Sequence, residues 1–250
     1  LGTGETFVEG EVLKMVSAQT SDSYYTKYNN KMRVWQDPEP HYSYLISCDT
    51  SLGRDRDYSA FHIINMYNGQ QVAEFYSNKT PINEFAKVIA HEGMLYNIAH
   101  VICERNTIGN NLIDWLFNVY EYENLWTDER DDLGFQVTAK NREELLATLE
   151  EAIRTDIIKI NSTRTVDELM TFIINDSGKA IAEKGHHDDL IMSLALAVHA
   201  FRDLLENTHI ESVSKLTKNN EPLMMSKANK AFIKTSTGQM TEEDYRWLMK

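Results

Sequence analysis

The chain has 250 residues, 42% of them hydrophobic, and a formal charge of −13. That is enough for one full core with appendages, and neither an apolar run of roughly 20 residues nor a signal-peptide pattern marks a membrane or secretory segment. The acidic balance argues against a protein that coats nucleic acid by bulk attraction, but not against an enzyme that meets DNA through a local patch and metal ions.

Residues 1–39 lack clean periodicity and read as a linker or wrapping segment that stops at Asp37-Pro38-Glu39-Pro40. The chain opens on Leu1 rather than Met, as a piece of a larger protein would. Gly2-Thr3-Gly4 lacks the Gly-Lys-Ser/Thr ending of a phosphate loop, so no nucleotide site is expected there. Tyr44 to Cys48 then reads as a buried strand ending in Asp49, followed by a Gly53-Arg54-Asp55-Arg56-Asp57 turn. A carboxylate at the end of a dry strand is costly unless something pairs with it or coordinates it. Cys48, like Cys103 further on, sits in an apolar run and reads as a small core residue of a reduced, cytosolic protein.

Tyr58 to Tyr67 and Gln71 to Ser77 are two more strands, joined by Asn68-Gly69 as a type I′ hairpin. Thr80-Pro81 predicts a helix start, with Ile82, Phe85, Ala86, Ile89 and Ala90 on its apolar face. His100 to Glu104 is a short buried strand ending in a second carboxylate. A turn at Asn106 to Asn110, a helix over Leu112 to Tyr120, and a fifth strand at Leu125-Trp126-Thr127 complete this part. The acidic run Asp128 to Asp132 reads as a solvated loop. Capping boxes at Asn141/Glu144 and Thr165/Glu168 predict helices through Arg154 and Ile174. Gly185-His186-His187-Asp188-Asp189 opens a strongly apolar helix. Residues 207–250 read as a loosely ordered tail or attachment segment.

Three strands with a hairpin, then helix and strand in alternation, predict a mixed five-stranded sheet: three antiparallel strands, then parallel ones, with helices on both faces. Were the first and fourth strands parallel neighbours, Asp49 and Glu104 would share one edge at a strand spacing of about 4.8 Å. A helix crossing that edge would add Asp188 and Asp189. Like charges at that range oppose folding unless a cation neutralises them, and hard oxygen ligands suit Mg2+ or Mn2+ better than zinc. Each acid also has a plainer explanation. Asp188 or Asp189 would serve as a helix N-cap, Glu104 would pair with Arg105, Asp57 would belong to a charged turn, and His186 and His187 would lie on the surface.

The series Asp49-Thr50-Ser51-Leu52-Gly53 to Asp57-Tyr58-Ser59-Ala60, then Glu104, then Gly185-His186-His187-Asp188-Asp189-Leu190 resembles the nuclease domain of the large terminase subunit of tailed bacteriophages, in its T4-like branch. The resemblance spans approximately residues 40–205, and residues 1–15 resemble the segment joining that family's ATPase to its nuclease. It implies an RNase H-like nuclease domain over 40–206, preceded by a joint over 1–39 from an absent ATPase domain. It further implies a Mg2+- or Mn2+-dependent endodeoxyribonuclease that cuts concatemeric viral DNA during genome packaging, in the host cytoplasm and outside the mature virion. Double-stranded DNA, the portal, the small terminase subunit and the ATPase domain of the same protein would be its partners, with no membrane involved.

Under that resemblance Asp49, Glu104, Asp188 and Asp189 are the catalytic metal ligands, and Asp57 is an auxiliary acid. Adjacent helix residues diverge by about 100°, so the aspartate pair cannot act alike, and Asp189 is preferred. Two-metal hydrolysis with Asp49 bridging is the expected mechanism. His187 or Lys184 would touch phosphate or carry a proton. Arg54, Arg56, Arg105, Lys140 and Arg142 would position the DNA backbone without reading sequence. The rivals are a junction resolvase or 3′→5′ exonuclease on the same fold, and a non-catalytic packaging or scaffold module.

Overall fold

The computed structural model describes residues 5–52 and 57–215. Gly53, Arg54, Asp55 and Arg56, and the tail from residue 216, lie outside them. Phe201 closes the first of two compact units, and the second begins at Arg202.

The first unit is built on a six-stranded mixed sheet. Its centre is β4 (Tyr44–Asp49), β5 (Ser59–Asn65) and β6 (Gln71–Ser77), each almost wholly buried. Continuous rather than alternating burial means that both faces of these strands are covered. β4 pairs antiparallel with β5 and parallel with β7 (His100–Cys103), in the register Cys48↔Cys103. The anticipated neighbourhood of the first and fourth strands is therefore present, and the fold is the mixed, RNase H-like α/β architecture expected.

The strand count differs at both edges. Leu125 makes only a single parallel bridge to Val101, so the expected fifth strand is a bridge rather than a ladder. At the other edge β2 (Tyr25–Lys27) and β3 (Met32–Val34) extend the sheet beyond β6. Met32 and Val34 are fully buried. These strands fall in the segment read as linker, where three residues are too few to show a period. The turn between them carries positive φ at Tyr28, Asn29 and Asn30, a bend that no Gly or Pro announces. A small second sheet joins β1 (Glu5–Thr6), β8 (Phe172–Ile174) and β9 (Ala180–Ala182). Helix α1 (Gly10–Gln19) follows β1 and buries Leu13 and Val16.

The hairpin at Asn68-Gly69 exists, but the turn is wider than type I′. Asn65 accepts from the Gly69 N–H at 2.9 Å, and of the two turn residues only Gly69 has positive φ. Gly69 is required for a second reason: a Cβ there would stand 1.8 Å from the carbonyl oxygen of Ile157. The 157–160 segment runs alongside, with Lys159 bridging Gln70 in parallel.

One face of the sheet carries Ile46, Cys48, Phe61, Ile63, Phe75, Val101 and Cys103, packed with Phe85 and Ile89 of α2 (Ile82–Leu95) and Leu112 of α3 (Thr107–Asp114). A π-helical turn, Trp115–Val119, extends α3. The opposite face is more polar. There Ser47 accepts from the Ser193 hydroxyl of α6 (Asp189–Lys215) at 2.8 Å, and Glu74 accepts from Thr165 of α5 (Thr163–Met170) at 2.6 Å. With side chains alternating along a strand, Asp49 follows Ser47 onto the α6 face, and Glu104 follows Ile102 there.

Helix starts depart from the sequence reading by a few residues. Helix α4 (Ala139–Arg154) begins with a Thr138/Asn141 capping box, not Asn141/Glu144. Helix α5 is capped by Ser162, whose hydroxyl accepts from Arg164 and Thr165. It also stops at Met170, and the residues expected to continue it form β8. Thr80 precedes rather than caps α2, its hydroxyl bonding to Ser77 at 2.8 Å.

Candidate active site

The site starts from the β4–β7 parallel pair. The Glu104 N–H donates to the Cys48 carbonyl at 3.2 Å, which continues the ladder one residue past β7 and brings Glu104 beside Asp49. Glu104 hydrogen-bonds both Asp49 and Asn106, the residue that caps α3 through its own side chain. The start of α3 lies so close that a Cβ on Gly109 would stand 1.7 Å from the Glu104 carbonyl oxygen. Burial pushes the Glu104 carboxyl upward. Asp49 is pushed well above the carboxylate range, first by burial and then by Glu104, Asp189 and Asp188. The mutual repulsion ties the four acids of β4, β7 and the α6 mouth into one electrostatic group.

The two aspartates at the α6 mouth diverge as helix geometry requires. The Asp188 carbonyl accepts the first helical bond, from Met192 at 2.8 Å, and its carboxylate takes an ion pair from Arg142 of α4 at 2.8 Å. Arg142 also donates to the Ala180 carbonyl at 2.8 Å, which fixes the guanidinium. Asp189 instead accepts from the Tyr58 N–H, and burial, Asp188 and Asp57 raise its carboxyl to about 7. Its Oδ2 is buried without a hydrogen-bond partner, 3.5 Å from His187 Nδ1. His187 rests edge-on against Tyr58, ring centroids 4.9 Å apart.

The other residues singled out in the sequence are scattered. Asp57 is exposed at the rim, near enough to act on Asp189. Arg105 is claimed by the acidic loop, pairing with Asp128 and Asp132, each at 2.9 Å. Lys140 and Lys184 are exposed. Arg54 and Arg56 lie outside the described residues. An open cavity of about 240 Å³ borders the α6 mouth, lined by Tyr76, Arg164, Glu168, His186 and His187 rather than by the acid group.

A divalent cation suits the donor set: hard carboxylate oxygens from three elements, the carboxyls of Asp49, Glu104 and Asp189 pushed up by burial and then by neighbouring acids, and a buried Asp189 oxygen lacking a donor. Among the described residues, no three His, Cys, Asp or Glu side chains are already gathered into a ligand shell. Asp188 is held by Arg142 and Glu104 is shared with Asn106, so closing a shell would draw these side chains inward.

No family model matches the sequence. Among solved structures, the large terminase nuclease of the thermophilic phage G20c with bound magnesium superposes with a TM-score of 0.61 and 18% identity, over 80% of this chain and 98% of that one. Its cobalt-bound form gives 0.61 and 19%, with the same coverage. The large terminase nuclease domain of Thermus phage P74-26 gives 0.58 and 20%, over 74% and 93%. The chain has the fold of the large terminase nucleases. Within that terminase-nuclease fold the acid group sits at the paired ends of β4 and β7, opposite the start of α6.

Sequence reasoning missed the supports of the α6 mouth. In the sequence Arg142 reads as a DNA contact, while its partner Asp188 lies 46 residues away with no local pattern linking them. The Thr165/Glu168 spacing points Glu168 to the cap of its own helix. His62, in the middle of β5, donates from Nε2 to the Leu190 carbonyl at 2.9 Å while Gln71 donates to its Nδ1 at 2.7 Å. A histidine in an otherwise apolar strand was the available signal.

Proposed function

We propose that this chain is a divalent-metal-dependent endodeoxyribonuclease that cuts concatemeric viral DNA during genome packaging, with little sequence preference. The observation that carries the reading is the convergence of Asp49, Glu104 and Asp189, with Asp188 beside them, on a fold shared with nucleases solved with bound metals. Asp49, Glu104 and Asp189 would hold Mg2+ or Mn2+, and Asp188, adjacent but tied to Arg142, would complete or orient the set. Two such cations supply a Lewis acid that activates water and stabilises the leaving 3′ oxygen.

The chain's own groups do the rest. Arg142, anchored on a backbone carbonyl, keeps positive charge beside Asp188 and Glu104 and would meet a phosphate at the rim. His187, 3.5 Å from Asp189, would contact phosphate or carry a proton to the leaving group. Lys140 and Lys184 would position the backbone. In this reading residues 40–206 form the nuclease module, residues 1–39 join it to an ATPase domain, and residues 207–250 are an attachment segment. The portal and small terminase subunit would be partners at packaging, in the host cytoplasm.

A supercoiled plasmid incubated with the chain and Mg2+ or Mn2+ should be nicked and then linearised, and EDTA should stop the reaction. Asp49→Asn or Glu104→Gln should reduce cutting to background with the fold intact by circular dichroism. Near-wild-type cutting by either variant defeats the assignment. Degradation of an end-labelled fragment with the circle untouched would mean an exonuclease. Stabilisation by Mn2+ without nicking would mean a scaffold.

A further inference from the structure

Helix α6 begins at the candidate metal centre, where the Asp189 carboxylate takes its own N–H and leaves those of Leu190 and Ile191 to another partner. Its free N–H groups at Leu190 and Ile191 are those that a local Ser, Thr, Asp or Asn normally satisfies. Asp188 stands at the capping position, but its carboxylate is drawn to Arg142. The acceptor comes from another helix: Glu168 Oε2 takes the Leu190 N–H at 2.9 Å and the Ile191 N–H at 3.3 Å.

Glu168 is only 8% exposed. Its Oε1 is buried beside Tyr76 without a hydrogen-bond partner, and the Tyr76 ring stacks on Tyr58 with centroids 4.0 Å apart and planes within 3°. Tyr58 in turn donates its N–H to Asp189. Neighbouring groups therefore run from the α6 backbone through Glu168, Tyr76 and Tyr58 to the Asp189 carboxylate. On the other side of the Leu190 peptide, His62 holds the carbonyl at 2.9 Å. Borrowing its cap from α5 leaves the Asp188 carboxylate to Arg142 and the Asp189 Oδ2 without a hydrogen-bond partner.

We propose that Glu168 is a positioning residue for the candidate metal centre: by capping α6 from outside, it holds Asp189 over the ends of β4 and β7 without spending either aspartate on the cap. The inference rests on the metal-centre reading above. Residues that orient metal ligands without touching the metal typically change affinity by about 10- to 100-fold when removed.

The test is titration of the metal-free chain with Mn2+ by calorimetry near neutral pH, with amide exchange followed at Leu190 and Ile191. Glu168→Ala should weaken Mn2+ binding about tenfold or more and speed exchange at both amides. Glu168→Gln, which keeps a carbonyl acceptor, should stay within about threefold of wild type. Leu149→Ala, a fully buried α4 position away from the site, controls for loss of stability: it should lower the melting temperature and leave Mn2+ affinity unchanged. Wild-type affinity in Glu168→Ala, or equal weakening by Leu149→Ala, overturns the inference while the metal centre stands. A wild-type chain that takes up no Mn2+ overturns both.

Discussion

Asp189 shows how much one residue's surroundings set its chemistry. Its carboxyl is raised to about 7 and that of Glu168 to about 8, both first through burial. A folded-state value above the unfolded one means that the native chain keeps protons the unfolded chain has released. The resulting stability is complete below the ordinary carboxylate range and is lost as pH rises through 7 to 8. The metal-free chain should therefore melt at falling temperature between about pH 4 and pH 8. Asp189→Asn should flatten that slope and raise metal-free stability at pH 8, by on the order of a few kcal/mol. Mn2+ should restore wild-type stability at pH 8 and do much less at pH 5, where protons compete for the same oxygens. Differential scanning calorimetry with and without EDTA checks all three. Arg142→Ala should leave Asp188 without its ion pair and slow nicking by on the order of tenfold, with a smaller effect on stability. Asp49 and Glu104 could be found in the sequence because a charge ending an apolar strand breaks an obvious pattern. The Arg142–Asp188 pair could not, since neither residue is unusual where it stands in the chain.

Elements were legible where period and length reinforced each other. The three central strands, α2, α4 and α6 all sit close to where apolar spacing places them. Errors gathered at the ends. Thr165 and Glu168 have the spacing of a capping box, but Ser162 caps α5 and Glu168 turns to α6, because an uncapped buried helix start elsewhere competes for the same carboxylate. Strands β2 and β3 escaped because three-residue pairings carry no period and draw their hydrophobic reward from a partner strand far along the chain. The β5–β6 turn offers a direct test of such long-range demands. Gly69→Ala would force a positive φ on a Cβ residue and drive that Cβ into the Ile157 carbonyl. A loss above about 2 kcal/mol is expected, measured by urea unfolding, well beyond the roughly 1 kcal/mol of an ordinary glycine replacement in a turn.

At the scale of the whole molecule, the two faces of the sheet do different work. The α2–α3 face is an apolar core with stacked Phe61, Phe75 and Phe85. The α5–α6 face is a polar network: Glu74 with Arg164 at 2.7 Å, Gln71 with Asn161 and Ser162, His62 with Leu190, and Ser47 with Ser193. A buried polar network is costly when half-made and specific when complete, so it fixes where α5 and α6 sit. That division explains why the architecture was readable and the site's supports were not. Apolar strands announce themselves, whereas a buried Gln, His or Glu looks in sequence like any surface residue.

The bond between Ser47 and Ser193 joins positions 146 residues apart. Local hairpins such as β5–β6 close early, and contacts across so much chain close late, because the loop entropy must be met before they give anything back. In refolding, the β-sheet signal should therefore recover before Mn2+ binding does, and stopped-flow circular dichroism against Mn2+ uptake would show the lag. For a growing polypeptide the consequence is one of timing. Asp49 and Glu104 emerge and pair while Asp189 has yet to be made, so under the proposed function the four acids cannot act together until α6 has been synthesised and has docked.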